Sequence, residues 1–427
     1  MNVKLFPDHW KTDSVSALCT DVVDCVNKTA PVVDGPTEYK MIRTTNVKAG
    51  RINLDDCRYV DEPTFVKWTR RIQPKRGDIV LTREAPLGEV GLLRSDESVF
   101  LGQRTMLYRA DPKKLDQRFL YYSMLGPFVQ GQIRSQGSGA TVEHLRVPDA
   151  ESFLVAFPPL DEQRRIAALL SAYDDLIANN QHRIALLESM AEEIYREWFL
   201  RMRFPRHDEV QKTKGMPEGW TPATLGAIAS FVMGQSPSSE HYNETGDGLP
   251  FHQGVGTYGD RFPRHQVFCS SIGRKANAGD ILFSVRAPVG RLNIADTELI
   301  IGRGLAAIRH KQDLNSYFFY LLKVTFANED MIGNGSIFNS VGKDELAKQP
   351  ILCPPPELME MFETLIKPID TQLATLYRTT NKLSKQRDAL LPRLISGKLR
   401  VEALDIQFPP SMRQPPAEAA QPAAMSG

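Results

Sequence analysis

Residues 77–88 read GDIVLTREAPLG, and residues 279–290 read GDILFSVRAPVG. Six of the twelve positions are identical (Gly, Asp, Ile, Ala, Pro, Gly), and four more exchange similar residues. The recurrence extends outward in both directions. Trp10 with Ser14, Val15 and Leu18 returns as Trp220 with Thr224, Leu225 and Ile228, at the same internal spacing. FLGQRTMLYR (100–109) returns as IIGRGLAAIR (300–309), QGSGAT (136–141) as NGSIFN (334–339), and FPPLDEQ (157–163) as CPPPELM (353–359). This period is far beyond the roughly 20–50 residues of stacked repeats, so the sequence predicts two duplicated domains.

The repeated bodies read as α/β. Short strand-like runs (DIVLT, EVGLL, DILFSV, RLNIA) are bounded by Gly, Pro and Asp, which punctuate strands. Helical stretches are expected at LDQRFLYYSML (115–125) and LNSYFFYLLKVTF (314–326). The Gly-Asp…Ala-Pro-x-Gly string carries no reacting group, and its expected role is a turn, a buried strand and a second turn.

After each body comes a long heptad. Ile166, Leu170, Tyr173, Ile177, Asn180, Ile184, Leu187, Ala191, Ile194 and Trp198 follow alternating steps of four and three. The same frame, shifted by 196 residues, holds Phe362, Ile366, Ile369, Leu373, Leu376, Thr380, Leu383, Arg387, Leu390 and Leu394. A seam sustained this long marks a helix packed along its length on another. The two seams are expected to pack on each other, with a homodimeric coiled coil as the alternative. Pro368 is expected to start or kink the second helix and Pro392 to disturb its end. RFPRHDEVQKTKGMPEGW (203–220) reads as a polar linker, and the Pro- and Ala-rich stretch from Phe408 as disordered.

The chain has 427 residues, enough for two or three domains. Apolar residues make up 42% and charged residues 24%, as in soluble globular proteins. The five cysteines are odd in number, scattered and without a CxxC pair, which argues against a disulfide framework and a zinc site. MNVKLFPDHWK lacks an apolar signal region, and no apolar run approaches a membrane span. The expectation is a reduced, soluble, cytoplasmic protein.

Catalytic signatures are missing. There is no G-x-x-x-x-G-K-[ST] loop, no glycine-rich methyl-donor loop, and no HExxH pair. FPPL (157–160) and CPPP (353–356) lack the polar first and aromatic last residues that grip an extruded base. Glu38-Tyr39-Lys40 resembles a nuclease triplet, but Asp34 lies in a Gly-Pro turn and chance explains the match better. No catalytic or metal residue is expected.

Charge is more informative. The whole chain carries a net charge of +1, so a nucleic acid must be met by local patches. Residues 35–76 hold ten basic against five acidic side chains, whereas the helical stretch 160–199 holds eight acidic against four basic. Duplex DNA carries one negative charge per roughly 1.7 Å, so DNA is expected at the bodies and away from that helix. Candidate DNA-binding residues are Arg43, Thr44, Lys48, Arg51, Lys67, Arg70, Arg71 and Lys75 in the first body. In the second they are His252, Gln253, Tyr258, Arg261, Arg264, Arg274 and Lys275. Arginine and lysine pair with guanine, and glutamine with adenine.

These strings resemble HsdS, the DNA-specificity subunit of type I restriction–modification systems. The resemblance is carried by GDIVLTREAPLGEVG, GDILFSVRAPVG, GSGATVEHL before FPPLDEQRRIAALLS, EWFLRMRFP…GMPEGWTPATLGAIA and the terminal RDALLPRLISGKLRV. It spans Trp10 to about Val401, and only Pro356-Glu357-Leu358-Met359 departs from the family's usual Leu-x-Glu-Gln. It implies a mixed α/β protein with a pseudo-two-fold internal repeat. Two target-recognition domains (1–157 and 220–353) would be joined by two long antiparallel coiled-coil helices (158–202 and 354–404), with a linker at 203–219 and a disordered tail at 405–427. Each domain would read one half of a split site in the major groove of double-stranded DNA. Two modification subunits would bring S-adenosylmethionine, and restriction subunits would use ATP and Mg²⁺; this chain itself would bind no cofactor and no membrane. The rival readings are a structural coiled-coil scaffold, which needs no basic loops, and a stand-alone DNA-binding regulator, which needs no acidic helix pair.

Overall fold

In the computed structural model, which describes residues 5–137, 143–213, 215–326, 331–332, 336–337 and 340–412, the two Gly-Asp dipeptides close the same turn. Asp78 Oδ2 accepts from the Lys75 amide at 2.9 Å, and Asp280 Oδ2 from the Asn277 amide at 2.7 Å. The other carboxylate oxygen accepts from Arg109 Nε at 2.8 Å in the first copy and from Arg309 Nε at 2.6 Å in the second. Gly77 and Gly279 have φ of +96° and +86°, a left-handed conformation that glycine takes without steric cost. The strand after this turn is buried along its whole length in both copies, Ile79–Arg83 and Ile281–Ser284. At its far end one hydroxyl organises the second turn. Thr82 Oγ1 donates to Pro86 O and Ser284 Oγ to Pro288 O, each at 2.6 Å. That bond accounts for the Thr/Ser exchange within the repeat: a hydroxyl is required there, and a methyl is optional. Ala85–Pro86 and Ala287–Pro288 are both cis.

The chain divides into two compact units, Met1–Asn179 with Thr380–Gly427, and Asn180–Thr379. In the first, Cys19–Asp24, Thr105–Ala110, Ile79–Arg83 and Leu87–Leu92 form successive antiparallel pairs, and Gly50–Ile52 and Val47–Lys48 complete a six-stranded sheet. A second sheet orders Arg58–Val60, Tyr39–Ile42 and Ser98–Leu101, the last two in parallel. The second unit repeats the plan. Ala229–Met233, Leu305–His310, Ile281–Ser284 and Leu292–Ile294 make the antiparallel sheet, and Leu249–His252 runs parallel to Leu299–Ile301 in a five-stranded one. The expected short helices are present as Gln117–Leu125 and Asn315–Thr325. Trp10 and Trp220 each lie in their own unit's main core. The mixed α/β class holds in both units.

The heptads form helices Leu160–Tyr195, continued by a π-helical stretch Arg196–Leu200, and Pro356–Leu394. Every residue of both frames is buried or half-buried. Within the first unit Ile166 and Leu170 share a core with Leu394 and Leu390. Within the second, Ile184 packs with Leu373 and Leu376, flanked by Leu187 and Ile369, while Ile194 and Trp198 lie against the core that holds Phe362 and Ile366.

Three expectations need correction. The second helix starts at Pro356, within the implied 354–404, so Pro368 does not start it, because a proline at the first helical position loses no hydrogen bond; its end at Leu394 falls ten residues short of 404. It passes the exposed Pro368 and ends two residues beyond Pro392. The linker is docked: Phe204 is buried against Trp220, and Lys212–Thr213 pairs with Met216–Pro217. The tail begins ordered: Pro410–Met412 forms a single turn, and Arg118 Nη1 donates to Ser411 Oγ at 2.8 Å. Residues 413–427 and most of the QGSGAT/NGSIFN pair lie outside the described residues. No helix among the described residues is long and apolar enough to cross a membrane.

Candidate nucleic-acid interface

In each unit the parallel strand pair delivers two loops to one edge. Gly102 N donates to Ile42 O, and Gly302 N to His252 O, both at 2.8 Å. The next backbone link also repeats, Arg83 N to Arg104 O at 2.8 Å and Val285 N to Gly304 O at 2.9 Å. The framework is therefore the same, and the side chains it presents differ: Arg43, Thr44, Gln103 and Arg104 in the first unit, Gln253 and Arg303 in the second.

Much of the first unit's positive charge is already paired. Arg43 Nη2 donates to Asp56 O at 2.6 Å, Arg104 pairs with Glu84 at 3.0 Å, Arg76 with Asp96 at 2.7 Å, and Arg71 with Asp24. Thr44 Oγ1 donates to Ala85 O at 3.0 Å, and the Lys67 ammonium sits 5.5 Å from the Trp68 ring centre. Lys48, Arg51, Arg70 and Lys75 are exposed. Arg70, Lys48 and Lys75 have no carboxylate partner among the described residues, which makes them the first unit's readiest phosphate contacts.

In the second unit Gln253, Arg264, Arg274 and Lys275 are exposed, with Lys275 2.9 Å from Glu298. Three of the expected contacts are not available to a duplex. His252 is fully buried, 2.7 Å from Thr257 Oγ1 and 3.0 Å from His265 Nδ1, and burial with the neighbouring His265 holds its pKa down at about 4. Tyr258 turns its hydroxyl inward, where burial raises its pKa well above the ordinary value. Arg261 is 3% exposed, paired with Asp370, 3.8 Å from Glu188 and stacked 4.7 Å over Phe319. Counting charges along a sequence cannot separate an arginine that faces solvent from one that faces a helix carboxylate.

Sequence reasoning passed over Gln103, Arg104, Ser236, Ile272 and Arg303. The repeat itself held the signal, since GQR and GRG stand at matched places in 100–109 and 300–309. Ile272 is 94% exposed at the tip of the loop before Arg274, and a Cβ on neighbouring Gly273 would lie 3.3 Å from Pro237 Cγ. Among the described residues, His9, Glu162 and Glu402 bring possible metal-ligand atoms within 4.8 Å of one another. Hydrogen bonding accounts for Glu162 there: it accepts from Trp10 Nε1 at 3.2 Å and lies 2.9 Å from His9 Nε2. The second copy has Leu358 in place of Glu162, and Trp220 Nε1 has no partner among the described residues.

Comparison with known proteins agrees with the duplication. A family model described as the type I restriction modification DNA specificity domain matches residues 21–189 and again 217–390. The chain is 28% identical over 421 residues to the provisionally named type I restriction enzyme MjaX specificity subunit of Methanocaldococcus jannaschii, covering 93% of this chain and 95% of that one. It is 26% identical over 366 residues to the type I restriction enzyme MjaIX specificity subunit of the same organism, covering 81% and 83%. Among solved structures, the type I restriction–modification S subunit from M. genitalium is similar in fold, with a TM-score of 0.60 at 19% identity over 92% of this chain and 98% of that one.

Proposed function

Because the chain belongs to the family of type I restriction–modification DNA specificity proteins, we propose that it reads a two-part site in duplex DNA, one half with each unit. It directs there the methylation and cleavage performed by partner subunits. The observation that carries this reading is the repeated framework with unlike tips, Arg43 against Gln253 on strand ends held by the same backbone bonds. Two scaffolds that agree in their hydrogen bonds and differ in what they present suit two unlike half-sites.

The chain acts without chemistry of its own. S-adenosylmethionine belongs to two modification subunits, and ATP and Mg²⁺ to restriction subunits. The long helices serve as an antiparallel coiled-coil spacer that sets the gap between half-sites, and they offer docking surface. A groove of Trp198, Met361 and Leu365 beside Glu357, Glu360 and Thr364, with Met190 also exposed on its helix, supports the docking role in the second unit. Exposed apolar strips of this kind mark interaction surfaces.

The test is methylation mapping. Expressed with its modification partner, the chain should direct adenine methylation to a bipartite sequence; purified alone, it should transfer no methyl group from S-adenosylmethionine. Methyl transfer by the chain alone, or partner-dependent methylation without a two-part motif, would overturn the reading.

A further inference from the structure

Gln253 is exposed, yet its amide is held in one orientation. Its Oε1 accepts from Ser236 Oγ at 2.8 Å. Ser236 Oγ accepts in turn from the Arg303 amide at 3.2 Å, so its own hydrogen is free for Gln253. Two glycines lie against the side chain and its backbone. A Cβ at Gly302 would come 2.6 Å from Gln253 Oε1, and one at Gly304 would come 2.6 Å from Gln253 O. Any other residue at those places would displace the glutamine. A surface glutamine ordinarily loses rotamer freedom when it binds, and here part of that loss has already been taken in folding. The amide NH₂ has no partner among the described residues, and Oε1 keeps a second lone pair.

We infer that Gln253 reads an adenine in the half-site met by the second unit, and that Ser236 is the residue that positions it. This rests on the DNA-reading function proposed above. Adenine shows the major groove an acceptor at N7 and a donor at N6, which an amide matches with one donor and one acceptor. Guanine shows two acceptors, N7 and O6. An amide free to rotate tolerates guanine by donating alone, whereas one whose oxygen is fixed by Ser236 sets that oxygen against O6. The serine thus supplies the rejection of guanine.

The experiment uses the complex with its modification subunit and the site found by methylation mapping. Duplexes carry 7-deaza-2′-deoxyadenosine, which lacks the N7 acceptor, at each adenine of the second half-site in turn. One position should weaken wild-type binding roughly tenfold, and Gln253→Ala should be indifferent to the same replacement. Ser236→Ala should accept guanine at that position alone, and Ser236→Thr, which keeps the hydroxyl, should restore the rejection. A wild-type complex insensitive to every 7-deaza replacement, or a Gln253→Ala complex with wild-type sensitivity, overturns the assignment while leaving the DNA-reading function intact. A complex that binds no bipartite site fails earlier, and that failure belongs to the function itself.

Discussion

His252 shows how a residue chosen for one role can be committed to another. It ends the strand Leu249–His252, and its ring nitrogens face Thr257 and His265, while His265 Nε2 lies 3.1 Å from Asp296. Burial, then the His265 ring, hold its pKa down at about 4, with Asp296 opposing, against an ordinary 6.5. As pH falls the unfolded chain therefore takes up the proton before the folded one. Stability should be intact above about pH 6.5 and decline through the window down to about 4, by at most about 3 kcal/mol. Urea midpoints at several pH values test this: His252→Gln should be flatter with pH than the wild type, and parallel curves would reject it. Histidine, glutamine and arginine at a strand end were legible as polar candidates. Which of them turned inward was not, because adjacent strand residues point to opposite faces and the register that decides the face lies in distant partners.

At the scale of elements, each unit ties its body to its long helices through a charge, and the two units use opposite signs. In the first, Asp174 on the helix Leu160–Tyr195 accepts from Arg94 Nη2 at 3.0 Å, Tyr122 OH at 2.8 Å and Arg387 Nη1 at 2.8 Å. In the second, Arg261 of the body meets Asp370 and Glu188 on the two helices. Removing one partner of a buried pair leaves the other uncompensated, which costs about 3–5 kcal/mol. Arg261→Ala should therefore lower the unfolding free energy of the chain by about 3 kcal/mol. Arg261→Met with Asp370→Leu, which removes both charges, should recover most of it. An unfolding midpoint unmoved by Arg261→Ala would mean the pair does not hold the body. The helices themselves were readable, because seam residues such as Ile184 and Leu373 repeat at a fixed period. The start at Pro356 falls two residues inside the span that the resemblance implied; Pro368 was misjudged as a possible start because a proline reads as a breaker unless its place in the helix is known. Arg387 occupies a seam position that hydrophobicity counts as a defect; its partner Asp174 explains it only in three dimensions.

For the whole molecule, the duplication was legible because one motif does the same work twice, and its Asp-Arg, glycine and hydroxyl contacts leave a mark on sequence. The proposed spacer role makes a further demand. The helices pass from one unit's residues to the other's after Asn179 and after Thr379. Four helical residues inserted at both places leave each unit's own contacts untouched. They lengthen each helix by roughly 6 Å and rotate the helix beyond the insertion by about 40° past a full turn. One base pair advances duplex DNA by about 3.4 Å and turns it by roughly 35°. The rotation matches one added base pair, whereas the rise alone allows one or two. Orientation is the stricter demand, since a reading loop that faces away from its groove makes no contact at any distance. The mapped gap between half-sites should grow by one base pair with both half-sites unchanged, and a gap of the original length after insertion would rule out helix length as the element that sets it.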